Sequence, residues 1–330
     1  MLNNKRILIT GATGSFGKEL IKQIIQKYPK IKKLVIFSRD ELKQFELSMK
    51  YNEKDYPNIR FFLGDIRDQD RLNRALEEID IVVHAAALKH VTAAEYNPFE
   101  FIKTNILGSQ NLINACLNNK VKNVIALSTD KAVSPANLYG ATKLCADKLF
   151  LSANNIKGSR DIKFSIVRYG NVFGSRGSVL PLFLEQKNKG VFKITDKRMT
   201  RFNITLQNCV EMVLWSLKNN LGSEIFIPKL KSYRVIDLAK AINPKCKIEY
   251  IGAKQGEKIY EELITPNDTR NLLDIGNYYV YVENPKIQKK YYTKYKDIKK
   301  VKSNFYYNSE TNKKFLTISE LKKLIKNFNF

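Results

Sequence analysis

Residues 6–17 read RILITGATGSFG, a short apolar run that leads directly into a glycine-rich turn. Residues 7–10 have the nearly continuous apolar character of a strand covered on both faces. Glycines at the start of the following helix let backbone amides approach a phosphate that side chains would crowd out. This order of strand, turn and helix predicts a dinucleotide site, against the alternative of a purely structural turn. The expected cofactor contacts in the turn are Gly11, Thr13, Gly14, Ser15, Phe16 and Gly17.

Short apolar runs alternate with amphipathic stretches through the rest of the first half. The further runs lie at residues 34–38, 59–63, 81–87, 124–128 and 164–169, and segments such as 18–27 and 71–79 have helical spacing. Such alternation predicts an α/β fold, namely a Rossmann-type doubly wound parallel sheet. We assign residues 1–173 to the nucleotide-binding domain and residues 174–330 mainly to a smaller substrate-binding part. Residues 206–228 are expected to fold back onto the first domain.

The second half of the chain is less regular. The pattern predicts helices at residues 206–217 and 235–242 and strands at residues 224–228 and 247–251. Residues 278–307 are rich in lysine and tyrosine and show neither a firm period nor a repeat, so no element is predicted there.

Composition limits the classes of protein that the chain can belong to. It has 330 residues with 44% hydrophobic content, enough for a sizeable core. The N-terminus lacks an apolar signal region and no stretch approaches the roughly 20 apolar residues of a membrane span, so we expect a cytoplasmic protein without membrane insertion. His84 and His90 form no cluster with metal-ligand spacing, and no metal is expected. No CxxC spacing occurs among the four cysteines, which we expect to be reduced: Cys116, Cys145, Cys209 and Cys246.

The formal net charge of +25 raises the question of nucleic-acid binding. Lysine is abundant together with Asn, Ile and Tyr, as a compositional bias would produce, and the densest run at residues 286–302 belongs to no recognisable nucleic-acid module. We therefore interpret the basic surface as solvated and attractive to anionic substrates, and expect no nucleic-acid partner.

The end of the second predicted strand indicates which nicotinamide cofactor fits. An NAD site favours a carboxylate there for the ribose 2′-hydroxyl, whereas a hydroxyl followed by arginine suits the 2′-phosphate of NADP. Ser38 and Arg39 fit NADP, with the alternative that Asp40 binds the ribose of NAD. The other residues predicted to contact the cofactor are Lys43, Asp65, Ile66, Ala85, Lys89, Tyr139 and Lys143.

Residues 127–143 read LSTDKAVSPANLYGATK and carry the candidate catalytic groups. Tyr139 and Lys143 are four residues apart, so on one helix they share a face, and the ammonium could lower the pKa of the phenol. A phenol so tuned can accept the proton of an alcohol during oxidation. The segment at residues 128–131, Ser-Thr-Asp-Lys, follows an apolar strand and is expected to bring further proton carriers into the same crevice.

Several motifs together resemble the extended short-chain dehydrogenase/reductases. They are GATGSFG at 11–17, SRDELKQ at 38–44, HAAALKHV at 84–91, TN at 104–105, STDK at 128–131, YGATK at 139–143 and RYGNVFGSRGSV at 168–179. Within that family they are most similar to the inverting UDP-N-acetylglucosamine 4,6-dehydratases that begin pseudaminic acid synthesis. The similarity covers residues 1 to about 265 well and the rest loosely. STDK is the most specific motif, because the retaining sugar dehydratases have Thr-Asp-Glu there.

The resemblance implies a tightly bound NADP and five catalytic residues. Tyr139, assisted by Lys143 and Thr129, would take the proton of the sugar 4-hydroxyl. Lys131 would then remove the C5 proton while Asp130 protonates the departing 6-hydroxyl, giving a 4-keto-6-deoxy sugar inverted at C5. These roles need a protonated Asp130 and a neutral Lys131, which requires a desolvated and coupled site. The alternative is a surface ion pair of these two side chains with Tyr139 in the core.

The resemblance also implies UDP-N-acetylglucosamine as the substrate and a homo-oligomer, either a dimer or a hexamer. The expected substrate contacts are Lys89, Asn171, Ser175, Arg176, Ser178, Arg201, Glu257 and Lys258. Asn105 would relay protons through water, with helix packing or capping as the alternative.

Two other functions remain open from the sequence. A UDP-hexosamine 4-epimerase would need only Tyr139, Thr129 and a sugar able to rotate, and STDK argues against it. A non-catalytic protein that senses NADP(H) would have no use for the Tyr139 and Lys143 pair.

Overall fold

A computed structural model describes residues 2–175, 177–187, 190–253 and 256–328. Arg176, one of the predicted substrate contacts, lies outside the described residues. In the first half the elements are β1 (Arg6–Thr10), α1 (Ser15–Lys27), β2 (Lys33–Ser38), α2 (Glu41–Lys50), β3 (Ile59–Leu63), α3 (Gln69–Ala75), β4 (Ile81–His84), α4 (Val91–Tyr96), α5 (Pro98–Phe101), a π-helix (Ile102–Leu107), α6 (Gly108–Asn118), β5 (Asn123–Thr129), a 3-10 helix (Asp130–Ala132), α7 (Leu138–Ile156) and β6 (Lys163–Tyr169).

The second half consists of shorter elements. They are β7 (Asn171–Val172), α8 (Val179–Lys187), β8 (Val191–Ile194), β9 (Thr200–Ile204), α9 (Leu206–Asn219), β10 (Glu224–Pro228), β11 (Lys231–Arg234), α10 (Val235–Ile242), β12 (Lys247–Tyr250), β13 (Glu262–Ile264), a 3-10 helix (Pro266–Asn271), β14 (Leu272–Asp274), β15 (Tyr278–Val282), α11 (Pro285–Lys294), β16 (Lys299–Lys300), β17 (Tyr307–Asn308) and α12 (Ile318–Lys326).

The central sheet has the strand order β16-β14-β15-β10-β6-β5-β4-β1-β2-β3. The seven strands from β10 to β3 run parallel to their neighbours, and β15 pairs with β10 in the antiparallel sense. The predicted doubly wound parallel sheet is therefore confirmed. The order of strands reverses between β1 and β4, so a crevice is expected where the carboxyl ends of β1, β4 and β5 meet.

The structure differs from the sequence pattern at the end of β4 and in residues 278–307, each for a physical reason. The fourth strand ends at His84 and not at residue 87, because the amide of Ala85 already turns toward the Thr10 hydroxyl, 3.2 Å away, to form the crevice. Residues 278–307, where no element was predicted, contribute β15, α11 and β16 to the fold. The ring centroid of Tyr279 lies 5.2 Å from that of Phe305 and 5.7 Å from that of Tyr307, so tilted and edge-on aromatic contacts, and not a hydrophobic period, hold this segment.

Two larger apolar cores and a small cluster of Ala94, Phe101 and Tyr139 stabilise the described part of the chain. The larger of the two cores lies on both faces of the central sheet, and the other core includes Phe173, Phe183 and Phe192 beneath the loops that follow β6. All four cysteines are free. Within the described residues, no helix combines the length and apolar character that crossing a membrane requires, and no three potential ligand side chains converge as a metal site.

A buried carboxylate joins the C-terminal strands to the parallel part of the sheet. Glu224, at the start of β10, is fully buried and accepts hydrogen bonds from Ser165 at 2.6 Å, Tyr291 at 3.1 Å and the amide of Gly222 at 2.8 Å. The amide of Leu221 donates to the same side chain. Burial raises the pKa of Glu224, and its four donors hold it in place. The carboxylate thus anchors β6, the turn before β10 and α11 to one another.

We expect Glu224→Ala to lower the free energy of unfolding by about 3 kcal/mol, because it leaves several buried donors without an acceptor. Urea unfolding followed by circular dichroism measures the change. The control is Glu211→Ala on α9, whose side chain is 46% exposed and whose replacement should change the free energy by less than about 0.5 kcal/mol. Equal stability of the two variants would contradict the anchoring role.

Candidate active site

The glycine turn after β1 has no room for side chains. Gly11 has φ +66°, and a Cβ atom there would lie 2.7 Å from the amide nitrogen of Ala86. A Cβ atom on Gly17 would lie 2.3 Å from the carbonyl oxygen of Ala12. The helix α1 begins at Ser15, so its first amides face this narrow turn, as a pyrophosphate site requires. The backbone here fits a dinucleotide.

Ser38 and Arg39 offer a hydroxyl and a guanidinium at the end of β2, while the carboxylate of Asp40 is bound to Lys43. Asp40 caps α2 by accepting from the amide of Lys43 at 3.0 Å, and it also pairs with the Lys43 ammonium. The hydrogen bonds from Lys43 lower the pKa of Asp40. Thr13 and Ser38 share a hydrogen bond of 2.9 Å, and the side chain of Arg39 is 54% exposed. Asp40 is thus held by its own helix, and Arg39 is accessible to a ligand.

The remaining residues predicted to contact the cofactor border the same crevice. Asp65 lies 2.7 Å from Arg67 and 3.9 Å from Arg39; burial raises the pKa of Asp65, but the arginines outweigh it and hold that pKa low. Ile66 is buried against Gly108. Lys89 is exposed in the loop after β4.

The catalytic candidates are brought together by a short turn between β5 and α7. Thr129 ends β5, and Asp130 and Lys131 form the 3-10 turn that follows. Asn137 caps α7 by accepting from the amide of Gly140 at 2.9 Å. A Cβ atom on Gly140 would lie 2.2 Å from the carbonyl oxygen of Lys131, so only glycine lets α7 approach the turn this closely. This approach places the first turn of α7, with Tyr139, beside Thr129.

Asp130 and Lys131 form a buried ion pair and not a surface pair. Asp130 is fully buried, and its Oδ1 lies 3.1 Å from Nζ of Lys131, whose side chain is 23% exposed. Burial raises the pKa of Asp130, the direction expected for a proton donor, although Lys131 opposes the shift. The second Asp130 oxygen, Oδ2, is buried without a hydrogen-bond partner among the described residues.

The expected neutral Lys131 differs from the structure. A second buried carboxylate, Glu261, lies 2.9 Å from Nζ of Lys131. Burial alone would lower the pKa of Lys131, but the two carboxylates outweigh it and raise that pKa above its ordinary value. In this structure Lys131 is therefore an ammonium, and a neutral form requires one of its neighbours to take a proton.

The structure gives the Lys143 ammonium a contact other than the Tyr139 hydroxyl. Nζ of Lys143 donates to the carbonyl oxygen of Leu127 at 2.8 Å. Burial raises the pKa of Tyr139 to about 12, and the lowering influences that oppose it come from the Lys131 charge and a hydrogen bond with Thr129. Burial lowers the pKa of Lys143. The groups that lower the pKa of the Tyr139 phenol are thus Lys131 and Thr129.

Two further polar residues have structural contacts. Ser128, which was expected in the crevice, donates to the buried carboxylate of Asp147 at 2.7 Å on the side of α7. Asn105 accepts from the amide of Leu88 and donates to its carbonyl oxygen, both at 2.9 Å, and donates to Thr142 at 3.0 Å. Asn105 therefore has the helix-packing role and holds the loop after β4 against α7.

A cavity of about 350 Å³ has Arg201 in its wall, and Nε of Arg201 lies 3.7 Å from the Glu261 carboxylate that contacts Lys131. Four of the predicted substrate contacts line it: Asn171, Ser178, Arg201 and Glu257. Oδ1 of Asn171 and Oγ of Ser178 are buried without a partner among the described residues, as expected for groups that bind a polar ligand. Nη1 of Arg201 donates to the carbonyl oxygens of Thr200 and Ile259, so its guanidinium is fixed at the cavity wall.

Of the other predicted substrate contacts that the structure describes, Lys89, Ser175 and Lys258 are not in this wall. Lys258 donates to the carbonyl oxygen of Val133 at 2.7 Å and pairs with Glu262 at 2.9 Å, so its ammonium is used within the protein. Ser175 lies in the loop before α8, where its amide donates to the carbonyl oxygen of Val172.

Sequence reasoning missed Glu261. It is the second last residue of GEKIYEE, where only Glu257 and Lys258 were selected. The one available signal was a run of two acidic residues before a short apolar strand, and such a run is usually a solvated face.

The chain matches known proteins over almost its whole length. The model of a family described as polysaccharide biosynthesis protein matches residues 7–283. A relative from Campylobacter jejuni, named UDP-N-acetylglucosamine 4,6-dehydratase (inverting), is 48% identical over 98% of both chains. The solved structure of Pen from Bacillus thuringiensis superimposes with a TM-score of 0.90 at 40% identity and covers 99% of this chain and 98% of that one.

This chain belongs to the polysaccharide biosynthesis protein family. The resemblance to the inverting dehydratases that the motifs predicted is thereby confirmed. The chain is also similar to a protein from Rickettsia bellii that has a different name, UDP-glucose 4-epimerase. That relative is 41% identical over 84% of this chain and 83% of its own. The chemistry of the site has to separate these two activities.

We expect Gly140→Ala to lower the free energy of unfolding by about 1–3 kcal/mol, because the new methyl group meets the Lys131 carbonyl. The sign is opposite to the gain of up to about 1 kcal/mol that this change brings inside an unobstructed helix. Cys145→Ala, at an exposed position of the same helix, is the control and should be neutral. Urea midpoints compare the variants, and a stabilised Gly140→Ala protein would contradict the close approach.

Proposed function

We propose that this protein catalyses the NADP-dependent 4,6-dehydration of UDP-N-acetylglucosamine with inversion at C5. The product would be UDP-2-acetamido-2,6-dideoxy-β-L-arabino-hex-4-ulose, the first intermediate toward pseudaminic acid or a related surface glycan. The observation that carries the proposal is the buried Asp130 and Lys131 pair beside Tyr139, in a chain 48% identical to an enzyme of that name. We also expect self-association, which the resemblance implies.

The residues around the crevice fit NADP. The narrow glycine turn after β1 would hold the pyrophosphate through backbone amides. Ser38 and the exposed Arg39 would hold the 2′-phosphate, since Asp40 is retained by Lys43 and its charge is compensated there. Held by these residues, NADP+ would supply the hydride acceptor for oxidation at C4 and the hydride donor for reduction at C6.

Oxidation at C4 relies on Tyr139 and Thr129. Tyr139 would take the proton of the 4-hydroxyl, and Thr129 would hold the same oxygen, because the two side chains share a hydrogen bond. Lys143 on α7 donates a hydrogen bond to the carbonyl oxygen of Leu127. From this position its ammonium would orient the cofactor ribose and add positive charge to the crevice. The resulting 4-keto group makes the hydrogen at C5 acidic.

Elimination then relies on the ion pair. Lys131 would remove the C5 proton, and Asp130, whose pKa burial raises, would protonate the 6-hydroxyl so that water leaves. A proton from solvent then reaches the opposite face of C5 and gives the inverted ring, while Tyr139 releases to solvent the proton that it took from the 4-hydroxyl. No external reductant is consumed, since the hydride taken from C4 is returned to C6.

The cavity beside the pair would hold the nucleotide diphosphate. Arg201 offers a fixed guanidinium, and Asn171 and Ser178 offer polar atoms without partners among the described residues. Gly170, which precedes Asn171 of the cavity wall, packs against Asp130, because a Cβ atom on it would lie 3.3 Å from Oδ2 of that residue. A sugar attached to a diphosphate in the cavity would then reach Asp130.

A 4-epimerase is the second candidate, because a relative named UDP-glucose 4-epimerase is 41% identical. Epimerisation at C4 needs a base for the 4-hydroxyl but neither a base at C5 nor an acid at O6. An Asp130 and Lys131 pair kept in a desolvated site would be without use in that reaction, and burying charges is unfavourable. The pair therefore favours dehydration.

The test is to incubate the protein with UDP-N-acetylglucosamine in deuterium oxide and to follow the sugar by proton NMR without added NADPH. We expect a new 6-methyl resonance, loss of the C5 proton signal and couplings of an L-configured ring. Lys131→Ala should abolish product formation and leave NADP bound, because it removes only the C5 base. A 4-epimer without a 6-methyl group would assign the protein to the epimerases.

The matched control is Lys148→Ala, at an exposed position of α7 where the lysine pairs with Glu283. It should turn over at the wild-type rate. Unchanged turnover by Lys131→Ala would refute the role of Lys131.

We expect Arg39→Ala to weaken NADP+ binding by about tenfold and NAD+ binding by less than about twofold, because only NADP+ carries the 2′-phosphate. Calorimetric titration of protein stripped of cofactor measures both affinities. Arg74→Ala, with a 77% exposed side chain, is the control and should change neither. Equal losses for the two cofactors would argue against a 2′-phosphate contact.

A further inference from the structure

The second carboxylate beside Lys131 is part of a buried charge cluster. Glu261 is 2% exposed, its Oε1 lies 2.9 Å from Nζ of Lys131 and 3.7 Å from Nε of Arg201. Asp130 approaches the same ammonium from its other side at 3.1 Å. We define the charge cluster as Asp130, Lys131, Arg201 and Glu261.

The backbone holds Glu261 in one position. Its amide donates to the Ser309 hydroxyl at 2.9 Å, and its carbonyl oxygen accepts from the amide of Ser309 at 2.8 Å. Ser309 is fully buried and donates in turn to the carbonyl oxygen of Thr200 at 3.1 Å. Because both the amide and the carbonyl oxygen of Glu261 are bonded to Ser309, its carboxylate is held in contact with Lys131.

The surroundings keep Glu261 ionised. Burial raises the pKa of Glu261, but Lys131 and Arg201 outweigh it and lower that pKa below its ordinary value. The other titratable or charged groups near the cluster are Tyr139, Tyr233, Lys258 and Glu257. Within the cluster, two cations face two anions, so the charges balance.

We propose that Glu261 is a positioning residue for the dehydration, holding Nζ of Lys131 beside Asp130 at the place from which it takes the C5 proton. This inference rests on the proposed function. In the elimination the C5–H bond breaks and an N–H bond forms on Lys131. At the same time the O–H bond of Asp130 breaks, its proton passes to O6, and the C6–O6 bond breaks to release water.

The proton count of the cluster is unchanged by this step, because Lys131 gains one proton and Asp130 loses one. The cluster then consists of an ammonium between two carboxylates, which is the arrangement seen in the structure. The next turnover begins when one proton returns from Lys131 to Asp130. Glu261 stays ionised throughout and never donates.

The test uses Glu261→Gln in the holoenzyme, which keeps the size of the side chain and removes its charge. Removing the anion destabilises the Lys131 ammonium, so the pKa of Lys131 should fall by about one unit or more. NMR of protein labelled with 13C at the lysine ε-carbon follows this titration, and the spectrum of Lys131→Ala assigns the resonance. Deuterium incorporation at C5 and 6-methyl formation should slow by at least about tenfold.

Two further variants separate charge from structure. Glu262→Gln makes the same change at the next residue, which pairs with Lys258, and should keep the Lys131 titration and the rate within about threefold. Glu261→Asp keeps the charge and should restore the Lys131 titration in large part. It also provides the comparison if Glu261→Gln folds poorly.

A Lys131 resonance that titrates at the same pH in Glu261→Gln as in the wild type would overturn the inference, whatever the rate. A slower rate with an unmoved titration would show that Glu261 is only structural and would also overturn it. Absence of a 6-methyl product from the wild type would refute the proposed function separately, since the lysine titration does not depend on turnover.

Discussion

The arrangement of the active site depends on keeping one buried ammonium compensated. A cation removed from water is strongly destabilising unless carboxylates contact it closely. Lys131 receives them from its neighbour Asp130 and from Glu261, 130 residues away. A hydrogen bond with Ser309 holds Glu261 in place. The ion pair between Glu261 and Lys131 therefore joins the C-terminal part of the chain to the turn after β5.

The same constraint shapes the chemistry. Burial favours a protonated Asp130 and opposes ionisation of Tyr139, while the two carboxylates keep Lys131 charged. The sequence argument required a neutral lysine and assigned the tuning of Tyr139 to Lys143. In the structure Lys143 is occupied by a backbone carbonyl, and the charge that acts on Tyr139 comes from Lys131. Thr129, Asp130, Lys131 and Glu261 thus form one connected set of hydrogen bonds and ion pairs.

The limits of sequence reasoning can be traced to particular residues. Local spacing identified Thr129, Asp130, Lys131 and Tyr139, because the strand end, the 3-10 turn and the first turn of α7 are adjacent in the chain. Arg201 and Glu257 were selected from separate segments, and the structure brings both to one cavity. Lys258 belongs to the same motif, yet its ammonium is used by Val133 and Glu262. Nothing in the local pattern distinguishes a side chain that faces the cavity from one that supports it.

The sequence by itself determined the doubly wound sheet and the glycine turn, because the periodicity of buried strands and the demands of a tight turn are local properties. Only the tertiary structure decided that β14, β15 and β16 extend the sheet, that Asp40 is held by Lys43, and that Glu261 contacts Lys131. Contacts between distant segments, and the protonation states that burial imposes on them, depend on which charges share a low-dielectric interior. That is a property of the folded chain alone.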